Sequence, residues 1–181
     1  MIRQFTCVLV AALTATSIYA QPLKWQKTLG GTENDLLLSS ESTNDGGYIF
    51  AGYSASPAGL YKSENAIGNN DMWIVKTDSV GNIEWENTIG GLADDVANSI
   101  SQTLDGGYIV AGYSGSGISG DKTEATKGGL DYWIVKLDAL GNIEWQNTIG
   151  GNKNDQAVAV KQALDLGYIV AGFSLSGISG D

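Results

Sequence analysis

The chain has 181 residues, with 20 acidic against 10 basic side chains, no histidine and one cysteine, Cys7. A formal charge of −10 argues against nucleic acid or an anionic membrane as partner, since both demand clustered lysine and arginine. The lack of histidine removes Ser-His-Asp and Cys-His catalysis, and with them the usual zinc sites.

Residues 1–20 read as a secretory signal peptide. One cation, Arg3, precedes the short apolar run "FTCVLVAALTATSI", and "SIYA" places the cut after Ala20. The run is too short and too rich in Thr and Ser for a membrane span, so none is expected after cleavage. Cys7 lies ahead of the run's end, which does not fit a lipid-anchor signal. The mature chain then starts at Gln21 without cysteine or disulfide, and its formal charge is −11.

From Gln21 onward the chain repeats every 60 residues: Trp25, Trp85 and Trp145; Gly31, Gly91 and Gly151; Gly47, Gly107 and Gly167; Trp73 and Trp133. Residues 85–121 and 145–181 share 24 of 37 positions without a gap. Spacing without drift makes each unit one module packed on a copy of itself. Counted from the tryptophans, the units run over about 25–84, 85–144 and a partial 145–181.

Within a unit the periodicity is that of strands. "NIEWQNT" sets Ile143, Trp145 and Asn147 on one face, with Glu144, Gln146 and Thr148 opposite. "DQAVAVKQ" alternates small and branched residues, and "DGG" is a tight turn into the next strand. "YIVAGYS", nearly all apolar, predicts an inner strand buried on both faces. In this reading Ala111 and Gly112 are small because neighbouring sheets press close. "DYWIVKLD" sets Trp133, Val135 and Leu137 against Tyr132, Ile134 and Lys136, and "DALGN" is a hairpin turn.

Four antiparallel strands per period predict an all-β fold of β-propeller-type blades with one enlarged loop; a β-solenoid is the alternative. The tryptophans read as blade packing rather than sugar platforms. The mature chain covers fewer than three periods, whereas closed propellers typically have about 4–8 blades. A fragment of a longer chain, or an assembly of several copies, is therefore expected, with self-association through exposed sheet edges.

Only carboxylates remain for chemistry. Asp94 and Asp95 are adjacent on a strand and point to opposite faces, a poor acid/base pair; Glu144 facing another acid is the other arrangement weighed. Asp35, Asp95 and Asp155 each come after a Gly-Gly turn and read as caps on its N–H groups. The loop "GSGISGDKTEATKGGLD" carries Asp121, Glu124 and Asp131 among glycines that let carbonyl oxygens converge, a donor set suited to calcium. The spacing is not that of an EF-hand, and the first-unit loop keeps Asp71 but has no acid at the place of Asp121. A solvated loop is the competing reading. No catalytic residue and no other cofactor is expected.

At "DYWIVKLDALGNIEWQNTIGG" the sequence resembles the exported β-propeller repeats of bacterial surface proteins, whose pattern is "GG…D…DGGYIVAGYS…DYWIVKLD..GNI.W". "LDALGNIEW" also resembles a turn of quinoprotein-like blades. The resemblance covers about residues 21–181 and implies a secreted or cell-surface protein, of a kind exported by the type IX route. With no catalytic constellation in the sequence, the chain reads as a non-enzymatic scaffold or carbohydrate-binding module whose partners are extracellular glycans or surface proteins. The alternative is part of a secreted enzyme, a glycosidase such as an endoglucanase or a quinoprotein-like oxidoreductase, with its catalytic residues elsewhere.

Overall fold

A computed structural model describes residues 24–59 and 61–177; the signal peptide read at 1–20 lies outside them. The described residues form ten strands: β1 (Asp35–Ser42), β2 (Tyr48–Ser54), β3 (Asp71–Thr77), β4 (Ile83–Ile89), β5 (Asp95–Gln102), β6 (Tyr108–Ser114), β7 (Asp131–Leu137), β8 (Ile143–Ile149), β9 (Asp155–Gln162) and β10 (Tyr168–Ser174). All pairing is antiparallel, and the described residues contain no helix. They form two four-stranded sheets, β1-β2-β3-β4 and β5-β6-β7-β8, and a two-stranded sheet of β9 and β10.

Each sheet is a meander, and its turns recur sixty residues on. Between β1 and β2, Gly46 N–H donates to Thr43 O (2.9 Å) with Gly46 at φ 85°. Gly106 repeats this at φ 88°, whereas the third turn holds Leu166 at φ 71°, a conformation strained for a branched side chain. Between β3 and β4, Asp78 Oδ1 accepts from Val80 N–H (2.9 Å) and Asn82 N–H (2.8 Å). Asp138 does the same for Leu140 and Asn142.

The sheets and the tryptophan-counted units are out of phase. "NIEW" pairs as β4 and β8 with the "WIVK" strand before it, so the fourth strand of each sheet is written at the start of the next unit. The hairpin turn read at "DALGN" joins these two strands. "YIVAGYS", expected as an inner strand buried on both faces, is β6, which is flanked by β5 and β7 and buried except at Tyr113; the first strands β1, β5 and β9 lie against one another. β2 and β6 are second strands, flanked within their own sheets.

One face of each sheet packs on the opposite face of the next. Ile49, Ala51, Met72 and Ile74 meet Ala97, Tyr108, Val110 and Trp133. Sixty residues on, Ile109, Ala111 and Ile134 meet Ala157 and Val160, with Tyr168 and Val170 beside them. Trp25, Trp85 and Trp145 each set their ring edge-on or tilted against the tyrosine of the next sheet, Tyr48, Tyr108 and Tyr168, at 5.5–5.7 Å between centroids. The registers break at Leu38, Asn98 and Val158, where a bulge brings the partner strand's backbone in. A Cβ on Gly112 would overlap the Val96 carbonyl oxygen. Ala111 is thus small because of the neighbouring sheet, as expected, but Gly112 is small because of its own.

Candidate functional site

The long loops gather at the end of the sheets where β1, β3, β5, β7 and β9 begin, and a carboxylate opens each of these strands. Asp35, Asp95 and Asp155 accept from the second glycine of the preceding pair: Gly31, Gly91 and Gly151 N–H, at 2.7, 2.6 and 2.7 Å. Each also accepts from a serine hydroxyl, Ser56, Ser116 or Ser176, at 2.8–2.9 Å. These are the turn caps read from the sequence. Asp71 Oδ2 accepts from Ile67 (2.6 Å) and Gly68 N–H (3.0 Å), and its Oδ1 presses on the Cα side of Gly90. Asp131 does likewise, with Lys127 N–H (2.5 Å) and Gly150.

Burial pushes the Asp71 and Asp95 carboxyls above the ordinary range. Their Oδ1 atoms, and that of Asp131, have no hydrogen-bond partner among the described residues. Taken out of water, the Asp71 and Asp95 carboxylates hold their protons more tightly.

The three residues read as a calcium set take separate partners. Asp121 Oδ2 accepts from Gly90 N–H (3.2 Å), and Glu124 Oε2 from Thr148 N–H (2.6 Å). Asp131 is buried on its own loop. No group of three such ligands that could hold a metal ion occurs among the described residues. The Asp94–Asp95 pair splits as the strand geometry requires: Asp94 turns out to Asn70 Nδ2 (2.7 Å) and Asp95 turns in. Glu144 faces a cation, Lys136 Nζ (2.8 Å).

Two buried lysines were not singled out from the sequence, although their sixty-residue spacing was there to read. Lys62 Nζ donates to Thr88 Oγ1 (2.8 Å), and Lys122 Nζ to Thr148 Oγ1 (2.5 Å) while sitting 4.9 Å from the Trp133 ring centroid. Burial pulls both ammonium groups below the usual lysine value, and surrounding carboxylates oppose that pull. Lys122 belongs to the same loop as Asp121 and Glu124, and it ties that loop to β8.

The opposite end of the sheets carries a different cation. Lys76 Nζ lies 2.8 Å from Asp45 and 2.6 Å from Glu84; Lys136 Nζ lies 3.0 Å from Asp105 and 2.8 Å from Glu144. The Thr103 hydroxyl, the Gly107 N–H and Lys136 hold the Asp105 carboxyl at about 2, against burial.

The first unit departs from the others in one surface feature. Tyr61 stands where the second unit has Asp121, and its ring is 51% exposed. Tyr61 lines a groove of about 500 Å³ with Lys27, Thr28, Asn82 and Ile83. Lys27 Nζ donates to Asn82 Oδ1 (2.8 Å) across its floor. An aromatic face beside fixed amide and ammonium groups suits a ligand with apolar faces and hydroxyl rims. No protein-family model and no curated protein matches the chain.

Proposed function

We propose that the chain forms blades of an exported, non-enzymatic β-propeller that serves as a cell-surface or extracellular binding scaffold, with a neutral glycan as ligand. The observation that carries the scaffold reading is the convergence of the inner strands: Lys161 Nζ of β9 reaches Glu41 Oε2 of β1 at 3.1 Å, 120 residues away, past Ser101 of β5. Successive sheets that pack one face on the opposite face of the next, with their first strands drawn together, fit the arrangement of propeller blades. The use of the repeated carboxylates as backbone acceptors supports a structural role for them. Binding then belongs to what does not repeat, the Tyr61 groove. The acidic surface disfavours a polyanionic glycan.

The test is a titration of the chain with neutral oligosaccharides, monitored by tryptophan fluorescence, beside Tyr61→Ala. Binding that weakens about tenfold on Tyr61→Ala, with unchanged melting, is expected from a lost stacking contact. Binding indifferent to Tyr61, or none by any neutral oligosaccharide, sinks the glycan reading.

A further inference from the structure

We infer that the ligand of the Tyr61 site is a linear neutral oligosaccharide laid across the ring, with sugar units seated in a groove on each side of it. The inference rests on the glycan reading and narrows it from a neutral glycan in general to an extended stretch of sugar chain. The groove with Lys27 and Asn82 is one of two that Tyr61 lines. The other, of about 360 Å³, is lined by Ser63, Glu84, Trp85 and Glu86. Tyr61 and Ile83 belong to both. The first groove takes Gly81 and Asn82, just before Ile83 in the chain, and the second takes the three residues just after it, so Tyr61 and Ile83 stand where the two meet. Each groove alone has the volume of a small-molecule site, about 300–1,000 Å³.

The ridge between the grooves is held in place. Tyr61 forms an antiparallel bridge with Gly30. Lys62, the next residue, is buried with its Nζ donating to Thr88 Oγ1 (2.8 Å), and Ser63 N–H donates to Glu86 Oε1. Three consecutive residues are thus tied to the segment before β1 and to β4. The exposed ring stands on a fixed backbone, and little order has to be gained when a ligand arrives. Ile83, 40% exposed, gives the apolar floor beneath it.

The two rims offer opposite chemistry. In the first groove the Lys27 ammonium donates to Asn82, whose amide nitrogen donates in turn to Asp78 Oδ2 (2.8 Å). In the second groove stands the half-exposed carboxylate of Glu84, with Oε2 at 2.6 Å from Lys76 Nζ. A hydroxyl both donates and accepts, so a sugar chain answers an ammonium on one rim and a carboxylate on the other. The second unit keeps Lys122, Ile143, Glu144 and Trp145 at the equivalent places but has Asp121 for Tyr61, and that carboxylate turns to Gly90 N–H. The aromatic ridge is what the first unit adds to a frame both share.

The probes are cello- and malto-oligosaccharides of one to six units, titrated into the full chain by calorimetry, with their place read from backbone amide shifts by NMR. In the series that binds, affinity should rise at least about tenfold from the monosaccharide to the tetrasaccharide, as contacts in a second groove are added. The tetrasaccharide should shift the amides of Asn82 and of Glu84–Glu86 together. Lys27→Ala and Glu84→Gln change one exposed residue in each groove, and Lys76 keeps Asp45 at 2.8 Å in the second variant. Each should weaken the tetrasaccharide about fivefold, the scale of one hydrogen bond lost. Tyr61→Asp, which carries the second unit's residue, should abolish binding. Affinity that does not grow with length, amide shifts confined to one groove, or either groove variant without effect would overturn the two-sided seat while leaving the glycan reading in place. No binding by any member of either series overturns both.

Discussion

β6 and β10 are written almost identically, "YIVAGYS" and "YIVAGFS", and each lies beside a bulged antiparallel partner at a glycine. Every residue of β6 except Tyr113 is buried, whereas no residue of β10 is. Ile109 is 0% exposed and its counterpart Ile169 is 65% exposed. Local sequence thus makes the strand, its turn and its register; the neighbours on either side make the core. The same contrast reaches the carboxylates. Asp95 and Asp155 share their glycine and serine donors, yet burial raises Asp95 above the ordinary range. At Asp155, under thinner cover, burial is outweighed by hydrogen bonds from Ser174, Gly151 and Ser176, and the carboxyl is lowered.

The largest expected effect comes from the covered region. Trp133 is 0% exposed, and Trp133→Ala should cost about 3–5 kcal/mol, the range for an aromatic truncated in a packed core. A urea unfolding curve shifted by less than about 1 kcal/mol would break the comparison, because it would mean the first and second sheets do not share a core.

The next effect is the sharpest form of the contrast. Ile109→Ala should cost about 2–5 kcal/mol by the same principle. Ile169→Ala, one repeat later, should change stability by no more than about 0.5 kcal/mol, as at an ordinary surface position. Equal costs would show that β10 is covered in solution.

The smallest effect is in the pH dependence. Asp105 titrates at about 2 in the folded chain against an ordinary 3.8, so its contribution is complete above pH 3.8 and is lost as pH falls through 2. Asp105→Asn should therefore flatten the acid limb of the stability curve between those values. At pH 7 its cost should be about 1 kcal/mol or less, because the Asp105 side chain is 57% exposed and solvent screens the pair. An acid limb unchanged by Asp105→Asn would mean that its contacts with Thr103 and Lys136 do not form.

The strands, turns and faces were legible because each is set by residues close in sequence. Alternation placed Trp133, Val135 and Leu137 on one side of β7 and Ile134 on the other, and the two cores divide them in that way. Gly-Gly with an Asp four residues after its second glycine was enough to find the caps on Gly31, Gly91 and Gly151. The phase of the sheets was not legible, since a repeat counted from Trp85 is equally periodic whether that strand closes one sheet or opens the next. Nor was the fate of Asp121, Glu124 and Asp131. Their oxygen donors suit a shared cation, but Gly90, Thr148 and Lys127 each give one of them a backbone N–H instead. The buried lysines escaped notice because a loop rich in polar residues looks solvated until the strands beneath it are in place.

The plain up-and-down order of the sheets has a consequence for how the chain folds as it is made or threaded. Every hydrogen-bonded strand pair joins segments consecutive in sequence, so closing each pair costs little loop entropy. Once residue 89 has emerged, the first sheet has all four of its strands; the second has all of its own at residue 149. A chain delivered from its N-terminus can therefore lay down one finished sheet at a time, each a template for the face of the next, with no strand waiting on a distant partner.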